Sequence, residues 1–216
     1  YTTILFLDDA PYVQSIEKLF SFFNKYKKYG LIQWILKMLR LSRYKFEYKY
    51  CMQNLKRLNI TAVFAERDRF AITGNGIVKF AITTQTPFIV VHSMFNLPHK
   101  NSINRFRNHP MYDIAHESRS FYQRIKQKKY SCAKYGSQLL QNHFFYPIHI
   151  IDAMNDFGVL SEYPWRLGGA SFSTVCLSDA LSKTLLQPHL KYVKDIKVVG
   201  DLSYDKLYNV YIHKDD

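Results

Sequence analysis

The chain has 216 residues, 47% of them hydrophobic, which is enough to bury a full core in one domain. Its 30 Lys and Arg against 17 Asp and Glu leave a net charge of +13, which selects an anionic partner: a membrane surface, a nucleotide or a nucleic acid. No apolar run approaches the roughly 18 residues of a membrane span, no basic-then-apolar leader is followed by a cleavage site, and no Pro/Gly/Ser-rich linker or repeat marks a seam.

Residues 3–7 form a short β-rich run that ends at Asp8 and Asp9, and Pro11 suits the first turn of a helix. Val13, Ile16, Leu19, Phe20 and Phe23 then recur at helical spacing, with Gly30 as the expected stop. A second long helical pattern covers about residues 31–58. From Lys25 to Arg57 the chain carries ten Lys and Arg against one acid, Glu47, interleaved with Ile32, Trp34, Ile35, Leu36, Met38 and Leu39. Such a helix either lies on anionic lipid or covers a sheet with a basic outer face.

The unbroken apolar and β-branched run 60–65 predicts a buried strand. It ends in Glu66, Arg67, Asp68 and Arg69, followed by a Gly74-Asn75-Gly76 turn and a helix through Ile77, Val78, Phe80 and Ala81. Residues 87–92 are the next strand, so strand, helix and strand imply a right-handed parallel crossover. From about 93 to 146 the pattern loosens into an insertion, with helices expected near 112–128 and 132–143. Pro147 opens a short helix through Ile148, Ile151 and Met154 to Gly158.

The tail is the most informative stretch. A loop with Glu162, Pro164, Trp165, Gly168 and Gly169 leads to a strand ending in Ser178 and Asp179. A helix over 180–186 and a strand ending at Gly200 follow, then Asp205, Leu207 and Tyr208. This βαβ unit gathers its polar groups at the carboxyl ends of its strands, where open α/β sheets bind ligands. The expected fold is therefore α/β, a Rossmann-like parallel sheet with helices on both faces.

In these motifs, over roughly residues 55 to 210, the chain resembles the amino-terminal half of GT-B glycosyltransferases and the related UDP-N-acetylglucosamine 2-epimerases, especially bacterial surface-polysaccharide enzymes. The resemblance implies a single acceptor-side domain over 1–216, one half of a GT-B fold. On it the chain reads as a fragment, cut at Tyr1 and ending at Asp216 before the nucleotide-binding half. It implies transfer of a sugar from a nucleotide-sugar donor to a glycan or lipid-linked acceptor. No cofactor or metal is implied, and the location is cytoplasmic, at the inner face of the plasma membrane if residues 25–57 bind it. A nucleotide-sugar 2-epimerase is the alternative within enzymes, and a non-catalytic membrane-docking or interaction module the alternative outside them.

Candidate residues follow from position. Glu66 and Asp68 are carboxylates at a strand end, and the resemblance puts an acidic residue facing the sugar there. Arg67 and Arg69 keep a neighbouring carboxylate ionised and can grip phosphate. His92, closing the next strand, has an imidazole suited to general-base work. Gly168 and Gly169 let backbone approach a ligand, Trp165 either stacks on a sugar or packs under the loop, and Glu162 and Gly200 complete the substrate-side set. Asp68 is the first choice for the base, with His92 second.

Cys51, Cys132 and Cys176 have no metal-ligand spacing and are odd in number, which fits a reducing compartment. Although 17 Tyr and 16 Phe beside this charge offer stacking surfaces, no nucleic-acid-binding motif is present, so nucleic acid is not the favoured partner.

Overall fold

The computed structural model describes residues 10–27, 29–66, 68, 74–91, 146–162, 169–187, 190 and 192–200. In chain order these give α1 (Pro11–Asn24), α2 (Gly30–Asn54), β1 (Val63–Ala65), α3 (Asn75–Thr84) and β2 (Phe88–Val91). After them come α4 (Ile148–Phe157), β3 (Ser173–Leu177), α5 (Ala180–Leu186) and β4 (Asp195–Val198). The expected strand at 3–7 and helices at 112–128 and 132–143 lie outside the described residues.

The four strands form one parallel sheet in the order β1-β2-β3-β4, flanked by helices, the α/β architecture expected. Register pairs Val63 with Phe88, Phe88 with Ser173, and Val175 with Ile196. Because side chains alternate across a strand, Val63, Ala65, Phe88, Val90, Val175, Leu177 and Ile196 share one face. That face meets Leu41 and Tyr44 of α2, Val78 and Ala81 of α3, Ile148, Ile151 and Met154 of α4, and Leu186 of α5 in a single core. The alternate row is different in character: Phe64 is exposed, while Ile89 and Thr174 are half-buried.

Local signals explain most element ends. Pro11 opens α1 and Pro147 precedes α4, each supplying a fixed φ where no amide donor is needed. Gly158 closes α4 at φ 73°, its N–H bonded to the carbonyls of Asn155 and Met154, a conformation that favours glycine. Gly30, expected as a stop, instead begins α2. The first helix ends six residues earlier at Asn24, and Gln33 Nε2 donates to the Lys27 carbonyl at 2.8 Å, bracing the connection. Likewise Asn75 and Gly76 belong to the first turn of α3 rather than to a preceding turn.

The inward stripe of α2 runs through Gln33, Leu36, Arg40, Arg43, Tyr44, Glu47 and Cys51 at three- and four-residue spacing. Three of the cations counted toward a basic outer face therefore turn toward the protein. Arg40 Nη1 donates to Glu17 Oε1 at 2.6 Å, Arg43 bonds both Glu17 and Glu47, and Lys37 bridges Asp152 at 3.0 Å and Asp156 at 2.5 Å on α4. Burial pushes the Arg40 guanidinium below its usual pKa, opposed by the charge of Glu17. Glu47 also accepts the Gly76 N–H at 3.1 Å, satisfying a donor at the start of α3. The helices approach so closely there that a Cβ on Gly76 would lie 2.6 Å from backbone atoms of Glu47 and Tyr48, which explains a glycine inside the first helical turn.

Cys51 and Cys176 are buried thiols with no disulfide. Burial, reinforced by Glu47, pushes the Cys51 thiol up to about 12, so it packs as a small apolar group. Cys132 lies outside the described residues.

Candidate functional site

Two of the sequence-predicted carboxylates converge on one short turn, residues 170–173, that leads into β3. Asp68, three residues past β1, accepts the Ala170 N–H at 3.3 Å and the Ser173 hydroxyl at 3.0 Å. Glu162 accepts the Ser171 N–H at 2.9 Å and also the Ser171 hydroxyl. Ser173 Oγ lies 2.9 Å from the Ala170 carbonyl as well, so the turn is held from inside and from both flanks. Gly169, buried, directly precedes it.

The two carboxylates differ in environment. Asp68 is 3% exposed, whereas Glu162 and Glu66 are exposed. A buried carboxylate oxygen that accepts a main-chain amide and a hydroxyl suits fixing a turn; an exposed carboxylate at a strand end can meet a ligand. Asp68 ties the segment after β1 to the turn before β3 across more than one hundred residues of sequence. Arg67, Arg69, His92, Trp165 and Gly168 lie outside the described residues.

This arrangement predicts that Asp68→Ala lowers stability by about 1–3 kcal/mol, because the Ala170 N–H and Ser173 hydroxyl lose a buried acceptor. Asp68→Asn keeps an acceptor and should lose less. Urea unfolding of the two variants checks this, and equal, negligible losses would show that the tie is not needed.

At the other end of β3, Asp179 caps α5. Its carboxylate accepts the Ser182 N–H and hydroxyl, each at 2.6 Å, and the Ser178 hydroxyl at 2.7 Å. These bonds from Ser182 and Ser178 hold its pKa down at about 2, so it is ionised throughout the neutral range. The Ser-Asp pair read from the sequence is thus occupied with starting a helix. Beyond β4, Gly200 has φ 82°, a backbone conformation that favours glycine, and among the described residues no atom lies within 4 Å of where a Cβ would stand.

A shallow groove of about 380 Å³ lies between α5 and β4, lined by Lys183, Gln187, Leu190, Val193, Asp195 and Ile196. It sits at the amino end of β4, away from the strand ends that bind ligands in such sheets. Among the described residues no cluster of three or more His, Cys, Asp or Glu is placed to hold a metal. No helix among them is long and apolar enough to cross a membrane.

The sheet order and its flanking helices define a parallel α/β protein of Rossmann-like type. Comparison of the chain with protein-family models, with curated proteins and with solved structures found no match.

Proposed function

We propose that the chain is the acceptor-side half of a GT-B type glycosyltransferase. In this reading it helps move a sugar from a nucleotide-sugar donor to a glycan or lipid-linked acceptor of a bacterial surface polysaccharide. One observation supports it above the others: candidate residues of the sequence reading stand just past the carboxyl ends of three of the four parallel strands. Glu66 follows β1, Ser178 and Asp179 follow β3, and Gly200 follows β4. That edge is where parallel sheets of this kind take their ligands.

Chemically, the acceptor hydroxyl must lose its proton as the sugar–phosphate bond breaks. Glu66, exposed directly after β1, and His92, the residue after β2, stand next to that edge in sequence and are the groups proposed to take the proton. Asp68, buried and accepting hydrogen bonds from Ala170 and Ser173, is assigned a positioning role for the turn at residues 170–173. Cations and helix amino-termini of the nucleotide-binding half would stabilise the departing phosphate.

Transfer itself is the test. The full-length protein is incubated with a panel of nucleotide sugars and a lipid extract of polysaccharide-producing cells, and products are followed by mass spectrometry. Acceptor-dependent release of a nucleoside diphosphate supports the reading, with Glu66→Gln or His92→Ala lowering turnover about a hundredfold or more. Exchange of the sugar C2 proton with solvent, without transfer, would replace it with the 2-epimerase. A folded protein that turns over no donor would overturn it.

A further inference from the structure

We propose that the outer side of the α1–α2 hairpin docks on an anionic lipid surface, its aromatic and aliphatic residues entering the interface and its lysines meeting headgroup phosphates. The inference concerns a surface distant in sequence from the strand ends and does not depend on glycosyl transfer.

The apolar part of the surface comes from both helices. On α2, Leu31, Trp34, Met38, Lys45 and Lys49 recur at three-, four- and seven-residue spacing and so share the face opposite the buried stripe. Leu31 is 70% and Trp34 51% exposed. On α1, Tyr12, Leu19 and Phe22 lie along one exposed line that continues to Tyr26 in the connection. Tyr12 packs on the half-buried Phe46 of α2 with ring centroids 5.0 Å apart, so the α1 line runs along a flank of α2. At the tip, Phe22 stacks edge-on to Phe23 at 5.3 Å and lies 6.0 Å from Tyr26. Large apolar side chains exposed together in this way mark a surface that meets something apolar.

Charge decides what that is. The acids between residues 10 and 59 are Glu17, which bonds the inward-facing Arg40 and Arg43, and Glu47, which bonds Arg43. Lys18, Lys25, Lys27, Lys45, Lys49 and Lys56 are all exposed. An apolar strip rimmed by cations, with both acids of its own hairpin paired to arginines, would repel a second copy of itself. It complements a bilayer that presents negative headgroups over hydrocarbon, where Trp and Tyr favour the boundary and lysines reach outward to phosphate. A nucleic acid would satisfy the lysines but offers no apolar layer to Leu31 and Met38.

Cosedimentation of the full chain with phosphatidylcholine vesicles, with and without phosphatidylglycerol, tests the proposal. Binding is expected only to the anionic vesicles, falling as salt is raised, with tryptophan emission quenched by brominated acyl chains. Leu31→Ala with Trp34→Ala should weaken binding about tenfold or more, and each of Lys45→Gln and Lys49→Gln about fivefold. All four positions are exposed, so circular dichroism and unfolding midpoints should be unchanged. Equal binding to both vesicle types, binding to neither, variants that bind like the parent, or dimerisation through this face in sedimentation velocity without lipid binding would each overturn it.

Discussion

Glu47→Ala is expected to lower the unfolding free energy by about 3–5 kcal/mol, read from the shift of a urea transition. Glu47 is 3% exposed and its two oxygens serve different elements. Oε1 accepts Arg43 Nε at 3.2 Å within α2, and Oε2 accepts the Gly76 N–H at 3.1 Å in α3. Without the carboxylate, Arg40 and Arg43 share Glu17, and a buried amide at the start of α3 loses its acceptor. Removing one partner of a buried ion pair leaves the other charge poorly solvated, so the loss exceeds what the pair contributes when whole. Glu47→Gln should fall between, because it retains an acceptor for Gly76 but not the charge. A loss below about 1 kcal/mol in the alanine variant would mean that the guanidinium charge is compensated elsewhere.

Acidification should destabilise the fold through His149 in a window set by its burial. His149 is fully buried in α4, its ring 5.7 Å from that of Phe20, and among the described residues Nε2 has no hydrogen-bond partner. Burial first, then repulsion from Arg40 and Lys27, lowers its pKa from 6.5 to about 3. The unfolded chain therefore takes up a proton at higher pH than the folded one. Stability from the neutral imidazole is complete above pH 6.5 and declines as pH falls toward about 3. The slope across this window approaches roughly 1.4 kcal/mol per pH unit for one proton. Comparing the parent with His149→Leu in urea titrations from pH 7 to about 4 isolates the effect from carboxylates that also titrate there. The parent should lose stability more steeply, and identical slopes would show that His149 protonates in the folded protein at its ordinary pKa.

The elements that were legible in the sequence are those written by neighbouring residues. The helix over 180–186 was readable because an acid stands at its amino-terminal boundary, and Asp179 does bond the Ser182 amide. The α4 stop was readable because Gly158 can take a positive φ that other residues resist. Strand, helix and strand patterns at residues 60–91 and 173–198 left a parallel sheet as the natural solution, and β1, β2, β3 and β4 are neighbours in that order. β1 is nevertheless shorter than its apolar run, beginning at Val63 rather than at Ile60, because strand length depends on how far the partner strand extends to bond it.

The destinations of the charged side chains belong to tertiary structure alone. In sequence, Arg40 and Arg43 are two more cations in a basic helix; in the fold, Glu17, 23 and 26 residues earlier, makes their inward orientation tolerable. In sequence Asp68 reads as the first-choice base at a strand end, and in the fold its carboxylate meets Ala170 and Ser173, 102 and 105 residues away. Periodicity and capping are determined within a turn of helix or a few residues of strand, so the chain carries them openly. Whether a charged side chain faces solvent or is buried depends on which distant donor or acceptor packing brings beside it, because only such a partner offsets the desolvation of a buried charge.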